Sequence, residues 1–170
     1  VPWAADVKVR EALNRAINRE EILNVVYGGL GEITPIHGFD PRFGSWNPEW
    51  DARFEEAYGY DPDRARALLD ESDFAIEEIN VQILSFSLDG NPEIPVLAEV
   101  LQQYFEQIGI RAEIAAREWA TVRQAVIDRQ IHEFLIPLRN QPVRHPEVFL
   151  RSWYNVNSFP TFTDDSINQG

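Results

Sequence analysis

At 170 residues the chain can hold one domain with a substantial core, and 44% apolar with 25% charged residues is ordinary for a globular protein. Its net charge of −13, from 28 acidic and 15 basic residues that are interspersed, argues against duplex nucleic acid or an anionic membrane surface as partner. The absence of cysteine excludes disulfides, thiolate nucleophiles and sulfur-ligated metals, and Lys8 as the single lysine leaves arginine as the working cation. No apolar run approaches the roughly 18 residues of a membrane span, so no membrane insertion by this piece is expected. Methionine is absent even at position 1, which suggests an excised piece of a larger protein.

In chain order, Asp6 is placed to cap a helix carrying Val9, Leu13, Ala16 and Ile17. Asn18 and Glu21 have the spacing of a capping box, before the apolar stripe Ile22, Val25 and Val26, and Gly28-Gly29 ends that helix. Residues 31–60 show no sustained period and read as a long loop, punctuated by Pro35, Gly38, Pro41, Gly44 and Pro48. Its aromatics Phe39, Phe43, Trp46 and Trp50 are expected to pin it to the body, with stacking on a sugar or a partner as the alternative. Asp61-Pro62-Asp63 is a strong helix start, continued by Ala65, Leu68 and Leu69.

The most regular stretch follows. Ile79, Val81 and Ile83 alternate with Asn80 and Gln82, the period of a strand with one buried face. Ile94, Leu97, Ala98, Leu101, Tyr104, Phe105 and Ile108 then form a helical stripe. Gly109 stands where a left-handed residue closes a helix, and Ile110, Ala112 and Ile114 resume alternation. This predicts a β-α-β unit with parallel strands and a right-handed crossover. A helix from Trp119 to about Gln130, a third buried strand within Phe134 to Leu138, an irregular polar loop over 139–145 and a helix opened by Pro146 complete the reading. The fold class is thus α/β: a small mixed sheet with a parallel βαβ core, flanked by helices.

The series Val9-Arg10-Glu11-Ala12-Leu13-Asn14, Ala16-Ile17-Asn18-Arg19-Glu20, Tyr27-Gly28-Gly29, Tyr60-Asp61-Pro62 with Ala65 and Leu68-Leu69, and Ile108-Gly109-Ile110 resembles the extracytoplasmic solute-binding proteins of ABC importers, family 5, the peptide- and nickel-binding type. The resemblance spans roughly Pro2 to Asn157 and implies one lobe of a two-lobed, periplasmic-binding-protein-like fold. It further implies a lobe over residues 1–157 and an extended tail over 158–170 leading to the second lobe. The implied partners are a peptide or other small polar solute held between the lobes, the second lobe itself and a membrane permease; no cofactor or metal is implied. The implied location is extracytoplasmic, periplasmic or as a cell-surface lipoprotein.

Ligands of open parallel sheets lie at the carboxyl ends of the strands, which directs attention to the loops over 86–93, 116–119 and 139–145. The candidate ligand-binding residues are Ser87, Asp89 and Asn91 in the first, and Arg139, Asn140, Gln141 and Arg144 in the third. In the third loop the sequence departs from the family pattern: Arg139 stands in place of a tryptophan, Pro142 in place of the aspartate that holds a peptide's amino group, and His145-Pro146-Glu147 in place of an acidic tripeptide. With no arginine in the first loop to grip a peptide carboxylate, the ordinary dipeptide mode is not expected. Arg139, Arg144 and His145 favour an anionic or strongly hydrogen-bonding solute, since guanidinium holds carboxylates bidentately; pairing of these arginines with neighbouring acids is the competing reading.

Other chemistry has little to support it. Gly28-Gly29-Leu30-Gly31 follows a helix and lacks the Gly-Lys-Ser/Thr of a phosphate loop; His37, His132 and His145 have no metal-ligand spacing; and no Gly-x-Ser-x-Gly elbow occurs. The chain therefore reads as a non-catalytic binding lobe. A carbohydrate-binding member of the same family, a protein-interaction module built around Trp46 and Trp50, and an enzyme with paired acids are the alternatives.

Overall fold

The computed structural model describes residues 1–128 except 37, 38, 43 and 45, together with 130, 134, 135, 137 and 147. Helix α1 (Val7–Arg15) opens on Asp6, whose carboxylate accepts from the Lys8 backbone N–H at 2.7 Å. Helix α2 (Arg19–Val25) opens on Asn18, which accepts from the Glu21 N–H at 3.1 Å. Only this half of the expected capping box forms, because Glu21 turns outward to accept from the Tyr104 hydroxyl at 2.8 Å. Buried at the helix interface, that hydroxyl needs an acceptor more than the exposed turn needs a second cap bond.

The structure corrects the reading of 31–60 as loop throughout: Glu49–Tyr58 forms a helix, α3. None of its residues is fully buried, which explains why no core stripe marked it. It is fixed to the body by cations. Arg15 reaches the Glu56 carbonyl at 2.9 Å while pairing with Glu11, and the Arg19 guanidinium lies 4.9 Å from the centre of the Phe54 ring. Phe39 and Trp46 each meet Trp50 edge to face, at 5.2 and 5.3 Å, so these rings tie the segment before α3 to α3 itself, while Phe43 lies outside the described residues. Helix α4 (Pro62–Asp70) is capped by Asp61, which accepts from the Arg64 N–H at 2.8 Å, and buries Ala65, Leu68 and Leu69 beside Val9, Ala12 and Ala16 of the α1 region.

The β-α-β unit forms as read: β1 (Asn80–Ser85), α5 (Ile94–Gln107) and β2 (Arg111–Ala116), with β1 and β2 parallel from Asn80 opposite Arg111 to Ser85 opposite Ala116. Gly109 ends α5 at φ +90°, a conformation that costs a residue with a Cβ. Helix α6 (Trp119–Ile127) leads to β3 (Phe134–Leu135), which pairs parallel with β1 on the side away from β2, giving the order β2-β1-β3. The expected mixed sheet is wholly parallel among the described residues. Of the expected helix after Pro146, Glu147 is described and is helical; the residues after it and the 158–170 tail lie outside the described residues.

Each sheet face has its own cover. Val81, Ile83 and Ala112 pack with Ala98, Leu101 and Phe105 of α5 in the main core, which Trp3 and the α1 and α4 helices also enter. Leu84 and Ala115, one residue out of phase, face Val122 and Val126 of α6 in a smaller cluster.

Candidate functional site

The two crossovers decide where a ligand fits. From β1 the chain passes to β2 through α5 on one face; from β2 it passes to β3, across β1, through α6 on the other. The loops after β1 and β2 therefore leave towards opposite faces, and in open parallel sheets ligands bind beside such loops, outside the carboxyl ends of the strands. This edge of the sheet is formed by residues 86–93 after β1 and residues 117–118 after β2.

Both loops are held in place. Phe86, 3% exposed, stacks on Trp119 with ring centres 4.9 Å apart, tying the start of one loop to the first residue of α6. The Arg117 N–H donates to the Ser85 carbonyl at 2.9 Å, carrying the β1–β2 ladder one step past the strands. At the tip, the Asn91 N–H donates to the Leu88 carbonyl at 2.9 Å and Gly90 takes φ +81°, a tight turn in which the third residue must be left-handed. Added bulk at Gly90 would meet nothing within 4 Å, so the glycine is there for its backbone alone.

Of the predicted site residues, Ser87 and Asp89 are exposed on this rim and Asn91 is half-buried at the turn's end. The structure thus brings these three together on one short loop. Arg139, Asn140, Gln141 and Arg144 lie outside the described residues. Sequence reasoning did not single out Arg117, although it marked 116–119 as a loop of interest. The Arg117 guanidinium donates to the neighbouring Ala116 carbonyl at 3.1 Å, and among the described residues it has no acidic partner. The available signal was an arginine directly following a predicted strand in a chain otherwise rich in acids.

Elsewhere the perturbed groups are structural. Asp40 is buried in the 31–48 segment, and hydrogen bonds from the Arg42 guanidinium at 2.5 and 2.7 Å hold its carboxyl down at about 2. Burial and the bond to Glu21 push the Tyr104 hydroxyl above the usual tyrosine range. Glu113 is held below the usual range by Gln82 and then by Arg111. Among the described residues no group of three His, Asp or Glu side chains could hold a metal ion.

A rim of this kind, polar and mounted on a rigid parallel sheet, is the geometry of a binding wall. The model of the bacterial extracellular solute-binding proteins, family 5 (middle part), matches residues 1–160. The chain belongs to that family. It is 34% identical over 114 residues to di/tripeptide-binding protein 1 of Pseudomonas aeruginosa, covering 66% of this chain and 20% of that protein. To the dipeptide-binding protein of Escherichia coli K12 it is 32% identical over 117 residues, covering 67% and 20%. The crystal structure of a dipeptide-binding protein from Pseudoalteromonas sp. SM9913 in complex with Met-Leu superposes with a TM-score of 0.67 at 26% identity, over 84% of this chain and 27% of that one. The family-5 chain thus spans about a fifth of the length of the curated relatives it matches, and it shares the periplasmic-binding-protein-like fold.

Proposed function

We propose that this chain is one wall of an interlobe cleft, in a protein that captures a peptide-like or other polar solute outside the cytoplasm and hands it to the permease of an ABC importer. The observation that carries the proposal is the placement of Ser87, Asp89 and Asn91 beyond the carboxyl end of β1, on a loop pinned by Phe86 and Trp119. Half a cleft buries too little of a ligand to hold it tightly, so the second lobe must supply the opposite wall by hinge closure. The relatives' names, which describe dipeptide and tripeptide binders, support a peptide-like solute and a non-catalytic role.

Within this reading, Asp89 offers a carboxylate to a solute amine or N–H, while Arg139 and Arg144, with Asn140 and Gln141, offer donors to a solute carboxylate. Residues 1–157 form the lobe and 158–170 the connection towards the second lobe; attachment as a cell-surface lipoprotein is one form the extracytoplasmic protein takes. Native mass spectrometry of the full-length protein from its own cells tests the reading. The expected result is a co-purified small molecule of unchanged mass, whose affinity falls tenfold or more in Asp89→Ala or Arg139→Ala. Covalent conversion of the solute, or unchanged affinity in both variants, would overturn it.

A further inference from the structure

The turn at the tip of the 86–93 loop joins two residues whose peptide bond is chemically reactive. Asp89 followed by Gly90 is the single Asp-Gly pair in the sequence, and no Asn-Gly pair occurs. An aspartyl side chain can be attacked by the backbone nitrogen of the residue that follows it. Glycine hinders that attack least, because it places no Cβ beside the nitrogen.

The fold leaves this pair open to the reaction. Both residues are exposed, and among the described residues no ion pair holds the Asp89 carboxylate. The hydrogen bond that closes the turn, from the Asn91 N–H to the Leu88 carbonyl at 2.9 Å, spans the pair without using the carboxylate or the peptide between the two residues. Ring closure requires that peptide plane to swing towards the carboxyl carbon. Gly90 stands at φ +81° and, lacking a Cβ, can take either sign of φ; the space where a Cβ would stand holds nothing within 4 Å, so the plane turns without displacing a neighbour.

Other aspartates lack this combination. The carboxylates of Asp6, Asp40 and Asp61 accept hydrogen bonds from nearby N–H groups. The amides that follow Asp63 and Asp70 are engaged in α4, on the Asp61 carboxylate and the Ala67 carbonyl. Asp73 is exposed and outside the helices, but the nitrogen after it belongs to Phe74.

We propose that Asp89-Gly90 is a site of spontaneous isomerisation in the folded protein, where aspartate converts to isoaspartate. The Gly90 nitrogen attacks the carboxyl carbon of protonated Asp89; a C–N bond forms, a C–O bond breaks, and the hydroxyl leaves with the amide proton as water, closing a five-membered succinimide. Water then adds back. Opening at the side-chain carbonyl restores aspartate, and opening at the main-chain carbonyl leaves the chain running through the side-chain carbons as isoaspartate. Mass is unchanged and no oxidant or cofactor takes part. The product has one more carbon in its main chain between two fixed points, Phe86 at 3% exposure and Ile94 at 1%, so the loop itself must absorb the added length and Ser87 and Asn91 shift relative to one another. None of this depends on the cleft reading above.

The test incubates the full-length protein at physiological pH and temperature. Isoaspartate is located by peptide mass spectrometry with electron-transfer fragmentation, which breaks the two isomers differently, and is quantified by methyl transfer from S-adenosylmethionine with an isoaspartyl methyltransferase. The expected result is conversion at Asp89 at least tenfold faster than at Asp73, and within fivefold of the rate in a free peptide of residues 87–92. A smaller ratio to Asp73 would overturn the proposal, and so would a rate more than fivefold below that of the peptide, which would mean that the folded turn holds the plane out of reach. Gly90→Ala should slow conversion at least tenfold in both the protein and the peptide, and an unchanged rate in either would overturn the assignment to this peptide bond.

Discussion

Truncation of Phe105 is the most demanding test of how the lobe is held together. Phe105 is fully buried between α5 and the sheet, in the cluster that contains Ile79, Val81, Ile83 and Ile110. A buried aromatic side chain removes about 150–250 Å² from water, which at roughly 25 cal/mol per Å² corresponds to about 4–6 kcal/mol. Alanine retains part of that area and an unfolded chain already buries some of it, so the transfer loss is smaller. The cavity left behind adds back, and Phe105→Ala should cost about 3–5 kcal/mol. In urea, with a slope of about 2 kcal/mol per molar, the unfolding midpoint should fall by roughly 1.5–2.5 M at unchanged slope. Gln103→Ala, on the exposed side of the same helix, should move it by less than about 0.25 M, because surface changes of this kind stay within about 0.5 kcal/mol. A fall below about 0.5 M for Phe105→Ala would refute the packing of α5 against β1 and β2, since no collapse of a fully buried site recovers that much.

Three further substitutions probe other links. Gly109→Ala should destabilise by about 1–2 kcal/mol or more, measured as a lower urea midpoint, because φ +90° disfavours any Cβ and the added methyl would stand 2.9 Å from the Ile76 side chain. Asp61→Ala should cost about 1 kcal/mol by the same measurement, through loss of the cap on α4. Asp40 has its folded-state pKa depressed to about 2 by Arg42, against about 3.9 for an unfolded chain. Its contribution is therefore fully present above about pH 4 and lost as pH falls towards 2. Thermal unfolding of the parent chain should show this loss between pH 4 and 2, and Asp40→Asn should show a shallower acid dependence in that window.

The sequence by itself determined the elements whose signal is local. Asp6, Asn18 and Asp61 cap helices because a short carboxylate or amide reaches the first free N–H groups wherever the chain turns helical. The β1-α5-β2 unit was legible because its buried faces are continuous and its periods switch cleanly at Gly109. Helix α3 was not, because it buries no residue completely and is held instead by Arg15 and Arg19 from a distant segment. The same limit applied to Glu21, whose partner Tyr104 is remote in the chain.

Only the tertiary structure decided which side of β1 the third strand takes. That choice sends the loops after β1 and β2 to opposite faces of the sheet. It also set Ser87, Asp89 and Asn91 together on a pinned edge of the sheet, next to Trp119 of α6. Strand order and side-chain pairing depend on contacts between segments far apart in sequence, and no local periodicity encodes them.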